Sequence, residues 1–183
     1  MSATYCRIAP GHPVHGVYHD CEYGFPTSGE SVLFERLVLE INQAGLSWLT
    51  ILKKRAAFRA AFAGFEVDRV ASFGPSDTER LLADPGIIRN RLKIEAVVEN
   101  ARRIRALRES HGSFVGWLDT HHPRSPLEWT RLFRQTFRFT GGQIVNEFLM
   151  SVGYLPGAHA LDCPVFARIL EHSPPWARVS ANI

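Results

Sequence analysis

Glu40 stands where a carboxylate is not expected. At 100° per residue, Leu33, Leu37, Glu40 and Ala44 fall within about 60° of one another, so the acid lies inside an apolar helical stripe. A buried carboxylate is costly unless it is paired or hydrogen-bonded. Such a residue serves an ion pair, caps a neighbouring helix end, or meets a ligand, and its position alone does not choose among these. Gln43-Ala44-Gly45-Leu46-Ser47-Trp48 follows it. Gly45 suits the left-handed position that ends a helix and Ser47 is a preferred N-cap, so the turn is tight and Leu46 is at its tip. An apolar side chain there has no core to fill. Trp48, in stripe with Ile51, Leu52, Phe58 and Phe62, is either core or a stacking surface for a flat ligand beside Glu40.

A second set has the chemistry of metal ligands. Cys6 and His19 lie near the N-terminus, and His159 and Cys163 have an i, i+4 spacing. Together they would fill the four places of a closed, structural zinc site, with Cys21 as a competing ligand. A deaminase-type catalytic zinc would need His-x-Glu followed by Pro-Cys-x-x-Cys, which is absent. Three widely spaced cysteines in a chain that opens without a signal peptide do not suggest a disulfide framework.

The elements that must position these residues read as helices. Helical periodicity covers about Ser31 to Gln43, Ser47 to about Phe62, about Asp77 to Ala83, Leu92 to about Glu109, about Pro126 to Thr136 and about Gly142 to Val152. No segment keeps a period of two, so the expected fold is all-α, one domain over residues 1–183. In the fourth helix Ile94, Val97, Val98, Ala101, Ile104 and Leu107 form the core stripe, and Arg102, Arg103 and Arg108 read as a solvated face, with a phosphate track as the alternative. The chain has 183 residues, 45% hydrophobic, and a net charge of +3, which by itself announces no nucleic-acid partner. Lysine occurs only at 53, 54 and 93, so arginine dominates the basic residues. No apolar run reaches the roughly 20 residues of a membrane helix, and a cytoplasmic, monomeric protein without a membrane partner is expected.

Taken in order, several blocks resemble the signatures of the 3-methyladenine DNA glycosylase I family. They are Tyr18-His19-Asp20-Cys21-Glu22-Tyr23-Gly24, Leu39-Glu40, the Gln43 to Trp48 turn, Leu52-Lys53-Lys54-Arg55 and Gly86-Ile87-Ile88-Arg89-Asn90-Arg91, collinear over roughly residues 5–105. The resemblance implies a helix-hairpin-helix glycosylase bundle. It implies a structural Zn²⁺ on Cys6, His19, His159 and Cys163 that joins the N- and C-terminal segments. Glu40 and Tyr18 would hydrogen-bond an extruded base, Trp48 would stack on it, and Leu46 beside Gly45 would wedge the duplex. Phe137-Arg138-Phe139-Thr140-Gly141-Gly142-Gln143 resembles the hairpin turn, whose amides around Gly141 and Gly142 would hold a DNA phosphate. A plain helix-to-helix turn is the alternative.

The implied activity is hydrolytic removal of alkylated purine, chiefly 3-methyladenine, from double-stranded DNA in base excision repair. Such a base carries positive charge, so its glycosidic bond is already weakened, and a carboxylate in an aromatic pocket favours it over neutral adenine. Either Glu40 or Asp162 would orient the water, since Asp162 follows the hairpin at the distance of the catalytic acid in the wider superfamily. The lysines are remote in sequence from the hairpin, so a monofunctional enzyme is expected. Tyr23 stands where the family pattern has Trp, His15 where it has another aromatic, and the segment 120–134 is short. These departures keep a different damaged base open as an alternative. A non-catalytic helix-hairpin-helix DNA-binding protein is a further one.

Overall fold

The computed structural model describes residues 2–180, and all regular structure among them is helical. The helices are α1 (Ser2–Ile8), α2 (His15–Cys21), α3 (Glu30–Gln43), α4 (Trp48–Ala61), α5 (Val67–Ala71), α6 (Pro75–Ala83), α7 (Arg91–His111), α8 (Phe114–His121), α9 (Pro126–Thr136), α10 (Gly142–Ser151), α11 (Pro164–Glu171) and α12 (Pro175–Ser180), with a 3₁₀ turn at Ala63–Phe65. The six helices expected from periodicity are present with no end shifted by more than two residues. The others run for only five to eight residues. That is too short for a 3.6-residue repeat to show.

Local signals set the starts. The Ser47 hydroxyl accepts the Thr50 amide at 3.2 Å at the head of α4, and the Asn90 side chain accepts that of Lys93 at 3.1 Å at the head of α7. Ser125 and Glu128 form a reciprocal capping box with Pro126 in the first turn of α9. Gly45, at φ +84°, makes the left-handed break between α3 and α4.

The central α7 packs against α3, α5, α6 and α8, and α10 packs against α3 and α9. Aromatic side chains fill the space between α8, α9 and α10, with Phe114 and Phe148 stacked at 5.9 Å and Trp117 edge-on to Phe133 at 5.3 Å. On α7 Arg102 is exposed and Arg103 and Arg108 are part-buried, and all three also bond to neighbouring segments. Arg102 donates to the carbonyls of Ala71 and Phe73 at 3.0 and 2.9 Å, Arg103 to that of Thr136 at 2.8 Å, and Arg108 to Glu30 and Asp68. They close the ends of neighbouring segments onto α7, a use that depends on long-range neighbours and leaves no mark on local periodicity. No helix among the described residues is long and apolar enough to cross a membrane.

Candidate active site and metal-binding cluster

Glu40 faces the core from α3 with 1% of its surface exposed, and neither carboxylate oxygen has a hydrogen-bond partner. Among the described residues Glu40 therefore has neither an ion-pair nor a helix-cap hydrogen bond. Around it stand Tyr18 of α2, Trp48 in the first turn of α4, Tyr23 after α2 and Tyr5 of α1, all buried. Tyr18 meets Trp48 edge-on at 5.2 Å and Tyr23 at 5.7 Å, and Tyr5 meets Tyr23 at 5.7 Å. The indole N–H of Trp48 is likewise without a partner. Burial first, then the negative charge of Glu147, push the Glu40 carboxyl well above its usual range, against a smaller opposing pull from Arg36. Arg36 is committed elsewhere: its guanidinium donates to the carbonyls of Glu22 at 2.7 Å and Ser151 at 2.5 Å.

The aromatic cluster around Glu40 is flanked by ion pairs. Glu22 holds Arg55 through two bonds of 2.7 and 2.6 Å, and Glu35 accepts Arg55 at 2.7 Å and Arg59 at 2.8 Å. Arg36 and Arg55 lie 5.7 and 5.9 Å from the Tyr18 ring centre, so this ring is positioned by cation–π contacts as well as by packing.

Two turns reach the surface near α7. Leu46 is 39% exposed at the tip after Gly45. Phe139, 41% exposed with φ +61°, is at the tip between α9 and α10. The glycines that follow have ordinary backbone: Gly141 is the N-cap of α10 at φ −79°, and a Cβ on Gly142 would make only ordinary contact with Thr130 at 3.5 Å. The left-handed residue of this turn is therefore Phe139. Although Lys93 is far from this hairpin in sequence, its Nζ lies 5.9 Å from the Phe139 ring centre. That Nζ donates to the carbonyls of Asn42 and Ala44 at 3.0 and 2.8 Å, and Asn100 exchanges two bonds with the backbone of Arg138 at 2.7 and 3.0 Å. One helix thus fixes both turns.

Cys6, His19, His159 and Cys163 converge, with their donor atoms all within 4.8 Å of one another. The sulfur-to-nitrogen distances are 3.6 Å for Cys6–His159, 3.5 Å for Cys163–His159 and 3.8 Å for Cys163–His19. A tetrahedral ion with Zn–S and Zn–N bonds of ordinary length separates such donors by about 3.5 Å, so the cluster fits a metal. Its outer contacts agree: His19 Nδ1 bonds Asp20 at 2.6 Å and His159 Nε2 donates to the Tyr23 carbonyl at 2.8 Å. This turns the other ring nitrogens inward. Cys21 is exposed and outside the cluster. Asp162 is exposed as well, and lines a cleft of about 380 Å³ with Cys6, His19 and Cys163. None of Tyr18, Tyr23, Glu40 or Trp48 lines that cleft.

Sequence reasoning missed Tyr5, Arg36, Asn100 and Glu147. Glu147 could have been found by the test applied to Glu40, since it is the single charge between Gly141 and Ala158.

A buried carboxylate without a hydrogen-bond partner, set among buried aromatic side chains in an all-helical protein, has the chemistry that a flat, donor-rich or cationic group would satisfy. Residues 9–131 match the family model described as methyladenine glycosylase, and the chain belongs to that family. It is 35% identical over 177 residues to DNA-3-methyladenine glycosylase 1 of Escherichia coli (strain K12), covering 86% of this chain and 94% of that protein. It is 35% identical over 180 residues to DNA-3-methyladenine glycosylase of Haemophilus influenzae, covering 88% of this chain and 97% of the other. Among solved structures, 3-methyladenine DNA glycosylase I from Staphylococcus aureus, studied for its recognition of 3-methyladenine, superimposes with a TM-score of 0.77 at 31% identity. That match covers 90% of this chain and 97% of the other.

Proposed function

We propose that the protein excises alkylated purines, chiefly 3-methyladenine, from double-stranded DNA by hydrolysis of the N-glycosidic bond, leaving an intact abasic site. The observation that carries this reading is Glu40, buried and unpartnered among Tyr18, Tyr23 and Trp48. Membership of the methyladenine glycosylase family supports it.

The residues divide the work. Leu46, held out by the Gly45 turn, fills the space in the duplex that an extruded nucleotide leaves, and the amides at Gly141 and Gly142 approach the phosphate backbone as a helix-hairpin-helix turn does. The flipped base enters between the aromatic faces, where its positive charge and donors satisfy Glu40. A neutral base without those donors leaves the carboxylate desolvated and is disfavoured.

When the C1′–N bond breaks, its electron pair returns to the base, which becomes neutral. A water oxygen bonds to C1′ in its place. The disappearing charge raises the proton affinity of Glu40 at that moment, which suits it to take the proton of the water. Its negative charge also stabilises the cationic sugar on the way. The location of Asp162 beside the Cys/His cluster favours Glu40 over Asp162 for this role. Lys93, occupied by two carbonyls, is not placed to act as a Schiff-base nucleophile.

Release of 3-methyladenine from methylated duplex DNA tests the reading. Wild type should release it without strand cleavage, and Glu40→Gln should be slower by about 10²-fold or more. Full activity in Glu40→Gln would overturn the assignment. Strand cleavage without added base or heat would refute the monofunctional mechanism.

Cys6, His19, His159 and Cys163 hold a structural Zn²⁺ in this reading. The ion ties α1 and α2 to the segment before α11, and four protein donors leave no position for a substrate. Metal analysis of the purified protein should give one zinc per chain, and Cys163→Ser should lose it. Retention of full stoichiometry in that variant would exclude the site.

A further inference from the structure

Of the three lysines only Lys93 is buried, and it sits in the first turn of α7. The place is unfavourable twice over. A cation there faces the positive end of the helix dipole, and burial pulls its proton affinity below the ordinary lysine range. What the group gains is hydrogen bonding, since Nζ donates to the carbonyls of Asn42 and Ala44 at 3.0 and 2.8 Å. These are among the last carbonyls of α3, which no amide of that helix reaches, and a cation suits that end of a helix. Lys93 thereby fastens α7 to the chain just before Gly45 and Leu46. The bonds of Leu46 itself are local: its amide donates to the Gln43 carbonyl at 2.8 Å, and its carbonyl accepts Gln43 Nε2 at 3.2 Å.

The hairpin turn is set from the same helix. Asn100, fully buried about two turns further along α7, exchanges bonds of 2.7 and 3.0 Å with the Arg138 backbone, and the Phe139 ring centre lies 5.9 Å from Lys93 Nζ. We propose that Lys93 is a positioning residue for duplex opening: it holds the Leu46 turn at a fixed offset from the hairpin, so that the wedge enters the duplex where the backbone is gripped. This rests on the glycosylase reading above and deepens it.

A wedge works only if it resists. Restacking of an extruded nucleotide is favourable, so the duplex presses back on any side chain that takes its place. Leu46 stands next to Gly45, whose left-handed backbone has wide freedom of its own. Charge-assisted bonds to the carbonyls on the near side of that glycine remove much of the freedom. The bonds of Lys93 go to Asn42 and Ala44 and to none of Tyr18, Tyr23, Glu40 or Trp48. A loosened wedge therefore impairs extrusion and spares base recognition, and a displacement of about 1 Å can slow a reaction by about 10²-fold.

The test separates extrusion from recognition on the full chain. Excision of 3-methyladenine from methylated duplex DNA requires both, whereas binding of free 3-methyladenine, followed by tryptophan fluorescence, reads the pocket alone. Lys93→Met, which keeps an unbranched side chain without the donors, should slow excision by about tenfold or more and leave the Kd of the free base within about twofold. Lys93→Leu should do the same, so the outcome does not depend on one variant folding. In a Leu46→Gly background, where no wedge remains to be positioned, Lys93→Met should add less than about twofold. Excision within twofold of wild type in the Met or Leu variant would overturn the proposal. An equal loss of free-base binding, the mark of a merely structural residue, would overturn it too, as would a full further loss in the Leu46→Gly background. If wild type releases 3-methyladenine from DNA while excision is indifferent to residue 93, only this inference falls. If wild type neither binds nor releases the base, the glycosylase reading falls with it.

Discussion

Helix α3 carries two buried glutamates with opposite fates. Glu35 is 2% exposed and satisfied by Arg55 and Arg59, and their hydrogen bonds and charges overcome the effect of burial and hold its carboxyl below the ordinary value of 4.5. Glu40 is 1% exposed without a hydrogen-bond partner, and burial and Glu147 push it well above that value. Equal burial on one helix therefore says nothing about role. What separates a structural acid from a recognition acid is whether the protein itself completes its bonding. Glu35 is complete, and it braces the Arg55 guanidinium that lies over Tyr18. Glu40 has no such partner among the described residues, and in the proposed function a base completes it.

This contrast can be broken most forcefully by deletion. Glu35→Ala strips the partner from Arg55 and Arg59 and should cost about 3 kcal/mol of stability, with activity lost only as the fold is lost. Glu40→Gln should leave the fold intact and remove the activity.

The two acids should also leave opposite signatures in pH titrations of stability. The folded-state pKa of Glu35 is lowered, so its contribution is fully present above about 4.5 and disappears as pH falls through the folded value. That of Glu40 is raised, so its contribution is complete below about 4.5 and is lost as pH rises through the folded value. Thermal melts should show Glu35→Gln falling further below wild type as pH rises from the acid side to neutrality. Glu40→Gln should instead gain on wild type over the pH range above 4.5. Curves of the same sign would mean that Glu40 has found an internal partner in solution.

Sequence alone made one of these acids conspicuous. Glu40 interrupts a stripe that includes Leu33 and Leu37, and the Gly45-Leu46-Ser47 turn next to it is spelled out in residues with fixed backbone and capping preferences. The Cys/His set could be assembled from residue types and the i, i+4 spacing of His159 and Cys163, but the pairing of its two halves needed the family resemblance, because no spacing rule spans the distance from Cys6 to Cys163. Asn100 escaped for the same reason, as did the partner of Glu147, though Glu147 itself stood out as a lone charge in an apolar segment. Tyr23 meets Glu147 across 124 residues and Asn100 meets Arg138 across 38, so their roles exist only in the folded chain. The arginines of α7 were legible as a solvent-facing stripe, but not the carbonyls and acids of neighbouring segments that they also reach. The short helices α1, α2 and α11, which supply or flank three of the four metal donors, carry too few turns for periodicity to register.

The smallest expected effect sharpens the comparison from outside α3. Asp162 follows the hairpin at the distance that suggested a catalytic acid, yet it is exposed in a cleft with Cys6, His19 and Cys163. If catalysis belongs to the pocket with the incomplete acid, neutralising Asp162 should matter little. Asp162→Asn should release 3-methyladenine within about twofold of wild type, with zinc content unchanged, because an exposed carboxylate screened by solvent exerts little force across the protein. A loss approaching that of Glu40→Gln, with zinc retained, would move the water-activating role to the hairpin side. Glu40 would then be left with recognition alone.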